Sequence, residues 1–245
     1  MLTAPPTTGS FTSNKGTMAC ILHIETSTDV CSVAVSENGA CIYDDEVREP
    51  NAHASRLAPF VRDAISFADS HAIPLDAVAV SMGPGSYTGL RIGVSEAKGV
   101  CFGRDIKLIA IPTLKLLCVK PLLEMELPEN ALLCPMIDAR RMEVYTATFD
   151  RALREVEPAR AEIVSEDSFA SLLSERPLYF FGNGAEKCKD VINHTNAHFL
   201  EDIVPEAKYM FPLAEMAFAR GTFEDVAYFE PFYLKEFVAG KSKKP

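Results

Sequence analysis

Ala77-Val78-Ala79-Val80 runs into Ser81-Met82-Gly83-Pro84-Gly85-Ser86-Tyr87-Thr88 and then into Gly89-Leu90-Arg91-Ile92-Gly93. A short apolar run bounded by glycine and proline reads as a buried strand entering a tight turn. The residues beyond it predict a helix over 89–102, stopped by Gly103. A strand, a glycine turn and a helix start aim backbone N–H groups at an anion, and Ser86 and Thr88 add hydroxyls. The turn is neither a Walker loop nor Gly-x-Gly-x-x-Gly. Gly89, Gly93 and Ala97 lie four apart, so one helix edge is nearly bare backbone and can accept a close neighbour. Packing and phosphate binding both remain open readings of this loop.

Upstream, the pattern is one of short strands. Ile21-Leu22-His23-Ile24 precedes the polar turn Glu25-Thr26-Ser27-Thr28-Asp29, and an apolar run follows over 30–35. Asn38-Gly39 between apolar runs signals a hairpin, and a third strand over 40–43 completes an antiparallel meander. A helix follows Pro50, with Leu57, Phe60, Val61, Ala64, Ile65 and Ala68 at helical spacing. Pro59 is expected in or near its first turn, because a deeper proline costs about 3 kcal/mol. Downstream come a strand over 107–111 and a helix opening at Pro112-Thr113. The order β-β-β-α-β-α-β-α describes an α/β domain whose sheet begins antiparallel and continues through crossovers.

Beyond a charged connection over 124–130, the opening pattern recurs. Ile137-Asp138 is followed by Val144-Tyr145-Thr146-Ala147-Thr148, as Ile24-Glu25 is followed by Cys31-Ser32-Val33-Ala34-Val35. A helix capped by Ser165 is expected to include Phe169, Leu172 and Leu173. A strand over 178–181 should meet Gly182-Asn183-Gly184 and a helix from Ala185. A last helix should run over 212–220, with Pro212 in its first turn and Gly221 at its end. The expected division is a flexible extension over 1–17, an α/β domain over 18–120 and a smaller α/β domain over 121–245.

Composition narrows the function classes. Among 245 residues, 34 Asp and Glu against 24 Lys and Arg give a net charge of −10, which opposes autonomous binding to nucleic acid. The seven cysteines form no Cys-x-x-Cys and mostly sit in apolar runs, so free buried thiols in a reducing compartment are expected. No apolar run reaches the roughly 18 residues of a membrane span. Residues 1–17 lack the basic start and apolar centre of a signal peptide, and a cytoplasmic location is expected.

Three separated motifs, Ile24-Glu25-Thr26-Ser27-Thr28, the loop and helix start over 83–93, and Ile137-Asp138-Ala139-Arg140-Arg141-Met142-Glu143-Val144-Tyr145, together resemble the bacterial TsaB (YeaZ) family. The resemblance extends from about Met18 to the C-terminal end. It implies two similar domains of the actin, sugar-kinase and heat-shock ATPase type, a ribonuclease H-like fold that accounts for the recurring hairpin. It also implies non-catalytic support of the enzyme TsaD, which places N6-threonylcarbamoyl on the adenosine beside the tRNA anticodon. The ATPase TsaE is the implied third partner, a homodimer is implied when TsaD is missing, and tRNA is met only through the complex.

The residues themselves bear on that picture. TsaD carries a His-x-x-x-His metal site after an Ile-Pro-like strand end, whereas Ile111-Pro112 here leads into Thr113-Leu114-Lys115-Leu116-Leu117-Cys118-Val119. No metal is expected there. His194 and His198 have ligand-like spacing only if helical, and Asn193, Thr195 and Asn196 disfavour a helix, so a surface loop is expected. Glu25, with Thr26 and Ser27, and Asp138 occupy the places where related phosphotransferases hold magnesium and water, and Gly182 and Gly184 resemble an adenosine-side turn. These six are the nucleotide candidates; strand-end carboxylates are also ordinary turn residues. No cofactor is required, and ATP or ADP at a subunit boundary is compatible with the resemblance. The main alternative is a nucleotide-hydrolysing or phosphotransferring enzyme of the same superfamily. No Ser-His-Asp or Cys-His order supports a peptidase. The broad apolar surface of the first helix and the glycine edge of the second place the partner interface at Phe60, Ala64, Phe67, Gly89, Gly93 and Ala97.

Overall fold

The computed structural model describes residues 19–235; the extension expected over 1–17 lies outside them. The first half reads β1 (Cys20–Glu25), β2 (Cys31–Glu37), β3 (Ala40–Val47), α1 (His53–Ser70), β4 (Ala77–Gly83), α2 (Tyr87–Arg104) and β5 (Lys107–Pro112). Two short helices, α3 (Thr113–Leu117) and α4 (Val119–Glu124), lead to β6 (Leu132–Asp138), β7 (Glu143–Phe149), β8 (Glu155–Ile163), α5 (Ala170–Glu175), β9 (Leu178–Phe181), β10 (Ala197–Phe199) and α6 (Phe211–Ala219).

The strands form two five-stranded sheets with orders β3-β2-β1-β4-β5 and β8-β7-β6-β9-β10. In each, three antiparallel strands are followed by two parallel ones. The recurring hairpin is therefore the start of a repeated sheet. The Asn38-Gly39 turn, with both residues at positive φ, closes β2 onto β3 as its sequence requires.

Period-two burial distributes each central strand between two cores. Leu22 and Ile24 of β1 and Val78 and Val80 of β4 pack under α1 and α2, while Ile21, Ala77 and Ala79 face the opposite side. In β6, Cys134 and Met136 line an outer core with Phe180, and Leu133 and Ile137 face inward. Between the sheets sit α3 and α4. Leu116 and Val119 pack on the first sheet, and Leu114, Leu117 and Cys118 on the second. The two halves thus share a continuous interior.

Several expectations change. The expected division at 121 separates the sheets but not the helices, because Met210, Leu213 and Ala214, at the start of α6, return to the first sheet. Pro59 is the seventh residue of α1, in its second turn; the Ser55 carbonyl it leaves without a donor lies on an exposed turn. Gly103 lies inside α2, which ends at Asp105 in the left-handed region. Ser165 caps no helix: Phe169 adopts φ 64°, so α5 begins only at Ala170. Past Gly184 the chain makes a single 3-10 turn over Glu186–Cys188. Six of the seven cysteines are buried and Cys41 is half-buried, all as free thiols; burial pushes Cys20 and Cys134 up to about 12, which keeps them unreactive. No described helix is long and apolar enough to cross a membrane.

Candidate functional site

Parallel strands in open α/β sheets present ligands with the loops at their carboxyl ends. Here both sheets aim those ends at one cleft of about 520 Å³. Ser27, Thr28 and Asp29 enter it from β1, and Pro84 to Thr88 from β4. Ile137 to Arg140 enter from β6, Asn183 follows β9, and Glu143 and Tyr145 line it from β7. Tyr233, Leu234 and Lys235 close one side.

The two strand-end carboxylates meet different fates. Glu25 is 0% exposed and does not face the cleft. Its Oε1 accepts the Ser27 N–H at 2.6 Å and the Ser27 hydroxyl at 2.5 Å, and its Oε2 accepts the Ser81 hydroxyl. Burial raises its pKa, and the Ser27 and Ser81 hydrogen bonds pull in the opposite direction. A carboxyl sealed this way cannot organise a hydrated cation without opening the strand end. Asp138 is exposed instead, paired with Lys187 and accepting the Arg140 N–H at 3.1 Å. Its own N–H donates to Asn183 Oδ1 at 3.0 Å. Arg140 and Arg141 both take positive φ, and that turn leaves Arg140 exposed at the cleft.

Of the nucleotide candidates, only Ser27 and Asp138 line the cleft; Glu25, Thr26, Gly182 and Gly184 pack behind it. Thr26 is buried beneath α2, its hydroxyl without a partner. Gly182 and Gly184 press on the end of β6: an added Cβ would lie 2.3 Å from the Met136 carbonyl oxygen and 2.9 Å from the Asp138 nitrogen. Gly182 also lines a separate hollow of about 390 Å³ with Lys189 and Glu201. The glycines are sockets for their own chain. His194 lies in a turn and His198 in β10, stacked on Tyr179, so the two do not share a helix.

The interface expected at six residues is corrected at four of them. Ala64, Gly89, Gly93 and Ala97 are buried inside the chain. The bare edge of α2 receives the β1–β2 turn rather than a second molecule. A Cβ on Gly89 would meet the Thr26 carbonyl oxygen at 2.1 Å, and one on Gly93 would meet Thr26 Oγ1 at 2.2 Å. Phe67 lies against Tyr43 and His71 of its own chain, and Phe60 is half-buried on the first core. What α2 leaves exposed is Thr88, Arg91, Ser95, Gly99, Phe102, Gly103 and Arg104, with Phe102 84% exposed and open space beside Gly99 and Gly103.

Sequence reasoning missed Tyr233, Lys235 and Lys187. Each reaches the cleft or its carboxylate from a distant part of the chain, and nothing local in their sequence marks them. Arg140 lay within a recognised motif, but its exposure depends on two consecutive left-handed residues.

A family model described as TsaD, tRNA N6-adenosine threonylcarbamoyltransferase, matches residues 49–239. The tRNA threonylcarbamoyladenosine biosynthesis protein TsaB of Escherichia coli is 30% identical over 237 residues, covering 90% of this chain and 96% of that protein. A Pseudomonas aeruginosa crystal structure described as similar to peptidase YEAZ superposes with a TM-score of 0.76 at 26% identity, over 89% of this chain and all of that one. YeaZ from Pseudomonas aeruginosa gives 0.73 at 27% identity with the same coverage. The shared length, the repeated sheet and the three motifs at the cleft lead to one assignment: the chain belongs to the TsaB (YeaZ) family.

Proposed function

We propose that this chain acts in tRNA threonylcarbamoyladenosine biosynthesis as a non-catalytic scaffold that binds and activates TsaD. The observation that carries this reading is the sealed Glu25. The strand-end carboxylate that a phosphotransferring relative would turn toward magnesium is spent on Ser27 and Ser81 inside the fold. The segment 113–119 supports the same reading, since it offers no histidine or carboxylate where TsaD has its metal ligands. The partner surface is the outer strip of α2 around Gly99, Phe102 and Gly103, where a large apolar ring stands beside two residues without side chains. TsaD occupies this strip in the working complex, and a second copy of the chain occupies it when TsaD is missing. TsaE joins the pair, tRNA is held by the assembly rather than by this acidic chain, and the complex works in the cytoplasm. ATP or ADP, where present, sits in the cleft between the sheets, at the opposite end of α2 from the partner strip, with the exposed Arg140 as its cationic contact.

The test is reconstituted tRNA modification with purified TsaD and TsaE, with and without this chain. Modification should require the chain, survive Glu25→Gln, and fail with Phe102→Asp, which should also lose TsaD on co-purification while its circular dichroism is unchanged. ATP hydrolysis by the chain alone, abolished by Asp138→Ala, would instead establish the enzyme reading.

A further inference from the structure

Two hairpin turns of the molecule meet the same backbone demand with different residues. β2 turns into β3 through Asn38 and Gly39, and β6 turns into β7 past Arg140 and Arg141; all four stand at positive φ. Asparagine and glycine are what such a turn selects, because they enter the left-handed region at least cost. Arginine gains nothing there and carries the steric penalty of its Cβ. Side-chain-bearing residues held in this region gather at functional sites. The backbone around the pair is pinned. Arg140 N–H donates to Asp138 Oδ1 at 3.1 Å, Glu143 N–H to the Arg140 carbonyl at 3.1 Å, and Val164 N–H to the Met142 carbonyl at 2.9 Å. The guanidiniums are not pinned: both residues are exposed, and neither side chain has a hydrogen bond or ion pair among the described residues.

The carboxylates nearby do not compete for them. Three line the cleft, Asp29, Asp138 and Glu143. Lys187 pairs with Asp138 and Lys235 with Glu143, which leaves Asp29 against two uncompensated guanidiniums. Carboxylates farther off than about 8 Å are screened at physiological salt, so the net charge of −10 does not cancel this local excess. The guanidinium fork matches phosphate oxygens in particular. Arg140 lines the cleft, whereas Arg141 is exposed outside its lining. A single anion in the cleft therefore satisfies Arg140 and leaves Arg141 bare, while a polymer with a charge on every residue serves both.

We infer that the Arg140–Arg141 turn is an RNA-backbone contact, with the strand crossing the rim of the cleft and one phosphate on each guanidinium. The inference rests on the proposed function only for the identity of the polyanion as tRNA. The acidic chain holds RNA poorly by itself; within the assembly the turn adds its two contacts to those of the other subunits. A nucleotide in the cleft competes for Arg140 and leaves Arg141 to the RNA.

The test is tRNA binding by the complex of the full chain with TsaD and TsaE, read by fluorescence anisotropy between about 0.05 and 0.3 M salt. One neutralised phosphate contributes about 0.7–0.9 to the slope of log K against log salt, so Arg141→Ala should lower the slope by that amount and weaken binding about five- to eightfold at 0.1 M. Arg140→Asn combined with Arg141→Gly installs the residues the turn prefers; it should lose about twice the slope yet unfold at a higher temperature than wild type. Arg151, exposed beyond the opposite end of β7, is the control, and Arg151→Ala should leave the slope unchanged. TsaD capture should be at wild-type level in all three variants. An unchanged slope in the Asn-Gly variant overturns the contact, and so does an equal loss in Arg151→Ala, which would reduce the effect to net charge. Lost TsaD capture, or a loss of ATP affinity in Arg141→Ala with tRNA binding intact, overturns it by giving the turn to a protein or a nucleotide. A wild-type chain that fails to capture TsaD sinks the scaffold reading alone. The same variants are then compared on the isolated chain at about 0.02 M salt, where tRNA binding equal to wild type overturns the contact and a loss in the same order upholds it.

Discussion

Replacing Gly93 with alanine tests the placement of the β1–β2 turn beneath α2. In an exposed helix the change would stabilise by about 1 kcal/mol, because glycine is the poorer helix former. Here the new Cβ stands 2.2 Å from Thr26 Oγ1 and 3.3 Å from Thr26 Cβ, against an ordinary contact nearer 3.5 Å. Thr26 is fully buried, so its hydroxyl has nowhere to swing. Overpacking of this kind costs about 1–3 kcal/mol, and a displacement of more than an ångström places Gly93→Ala near the upper end. The net loss should be about 2 kcal/mol, a fall in Tm of roughly 4–8 °C for a chain of this size. Thr26→Ala alone should be close to neutral, since it removes a methyl group but also a buried hydroxyl that has no partner. The double variant should recover most of the loss, giving a coupling of about 1–2 kcal/mol. Gly89→Ala provides the control: its Cβ would strike the Thr26 carbonyl oxygen, which Thr26→Ala leaves in place, so no rescue should occur. Urea unfolding of the five variants, with circular dichroism as readout, measures every term. Wild-type stability in Gly93→Ala, or equal rescue of both glycine variants, would mean that the turn does not lie where the structure puts it.

Three further outcomes follow from other parts of the chain. Phe102→Asp should change unfolding free energy by no more than about 0.5 kcal/mol, as its ring is exposed, while abolishing TsaD capture on an affinity column; capture at wild-type level would move the partner surface elsewhere. Burial lowers the His23 pKa from 6.5 to about 3, so the folded state refuses a proton that the unfolded chain accepts. The stability this confers is complete above pH 6.5 and is lost as pH falls toward 3, at about 1.4 kcal/mol per pH unit, and a pH series of urea midpoints should show that slope in wild type but not in His23→Gln. Glu25 has the opposite sign: its pKa is raised by burial, so its contribution is greatest in acid and declines as pH climbs through the folded value. The stability of Glu25→Gln relative to wild type should therefore increase with pH, and a constant difference would show that Glu25 is not sealed.

Much of the fold was legible because it rests on local periodicity. Alternation in β1, β4 and β6 sends successive side chains to different cores, and the strand order of the first half follows from its turns and crossovers. The errors fall where a distant segment supplies the missing half of a contact. Three small residues at four-residue spacing announce that something approaches α2 closely, but they do not say what. The answer, Thr26, lies more than sixty residues earlier and carries no mark of its role. The Ser165 cap fails for a related reason: Phe169 accepts left-handed backbone so that its ring can pack on Phe180, and the helix start yields to that contact.

The repeated sheet makes the asymmetry of the two strand ends informative. β1 and β6 occupy equivalent places, each central in its sheet, each followed by a hairpin and each ending in a carboxylate. With the backbone held in common, the difference between Glu25 and Asp138 must come from what surrounds them. Around Glu25, the Gly89 and Gly93 sockets draw the following turn under α2, and Ser86 N–H fastens it by donating to the Ser27 carbonyl at 2.7 Å. The carboxyl is thereby turned onto Ser27 and Ser81. Around Asp138 no helix of comparable length follows β9 among the described residues, the turn stays outside, and Lys187 pairs with the exposed carboxylate. Neither carboxylate is left free and cation-facing, and each is occupied by the packing of its own half. The cleft keeps the shape that two such sheets create, while the two strand-end carboxylates serve the fold.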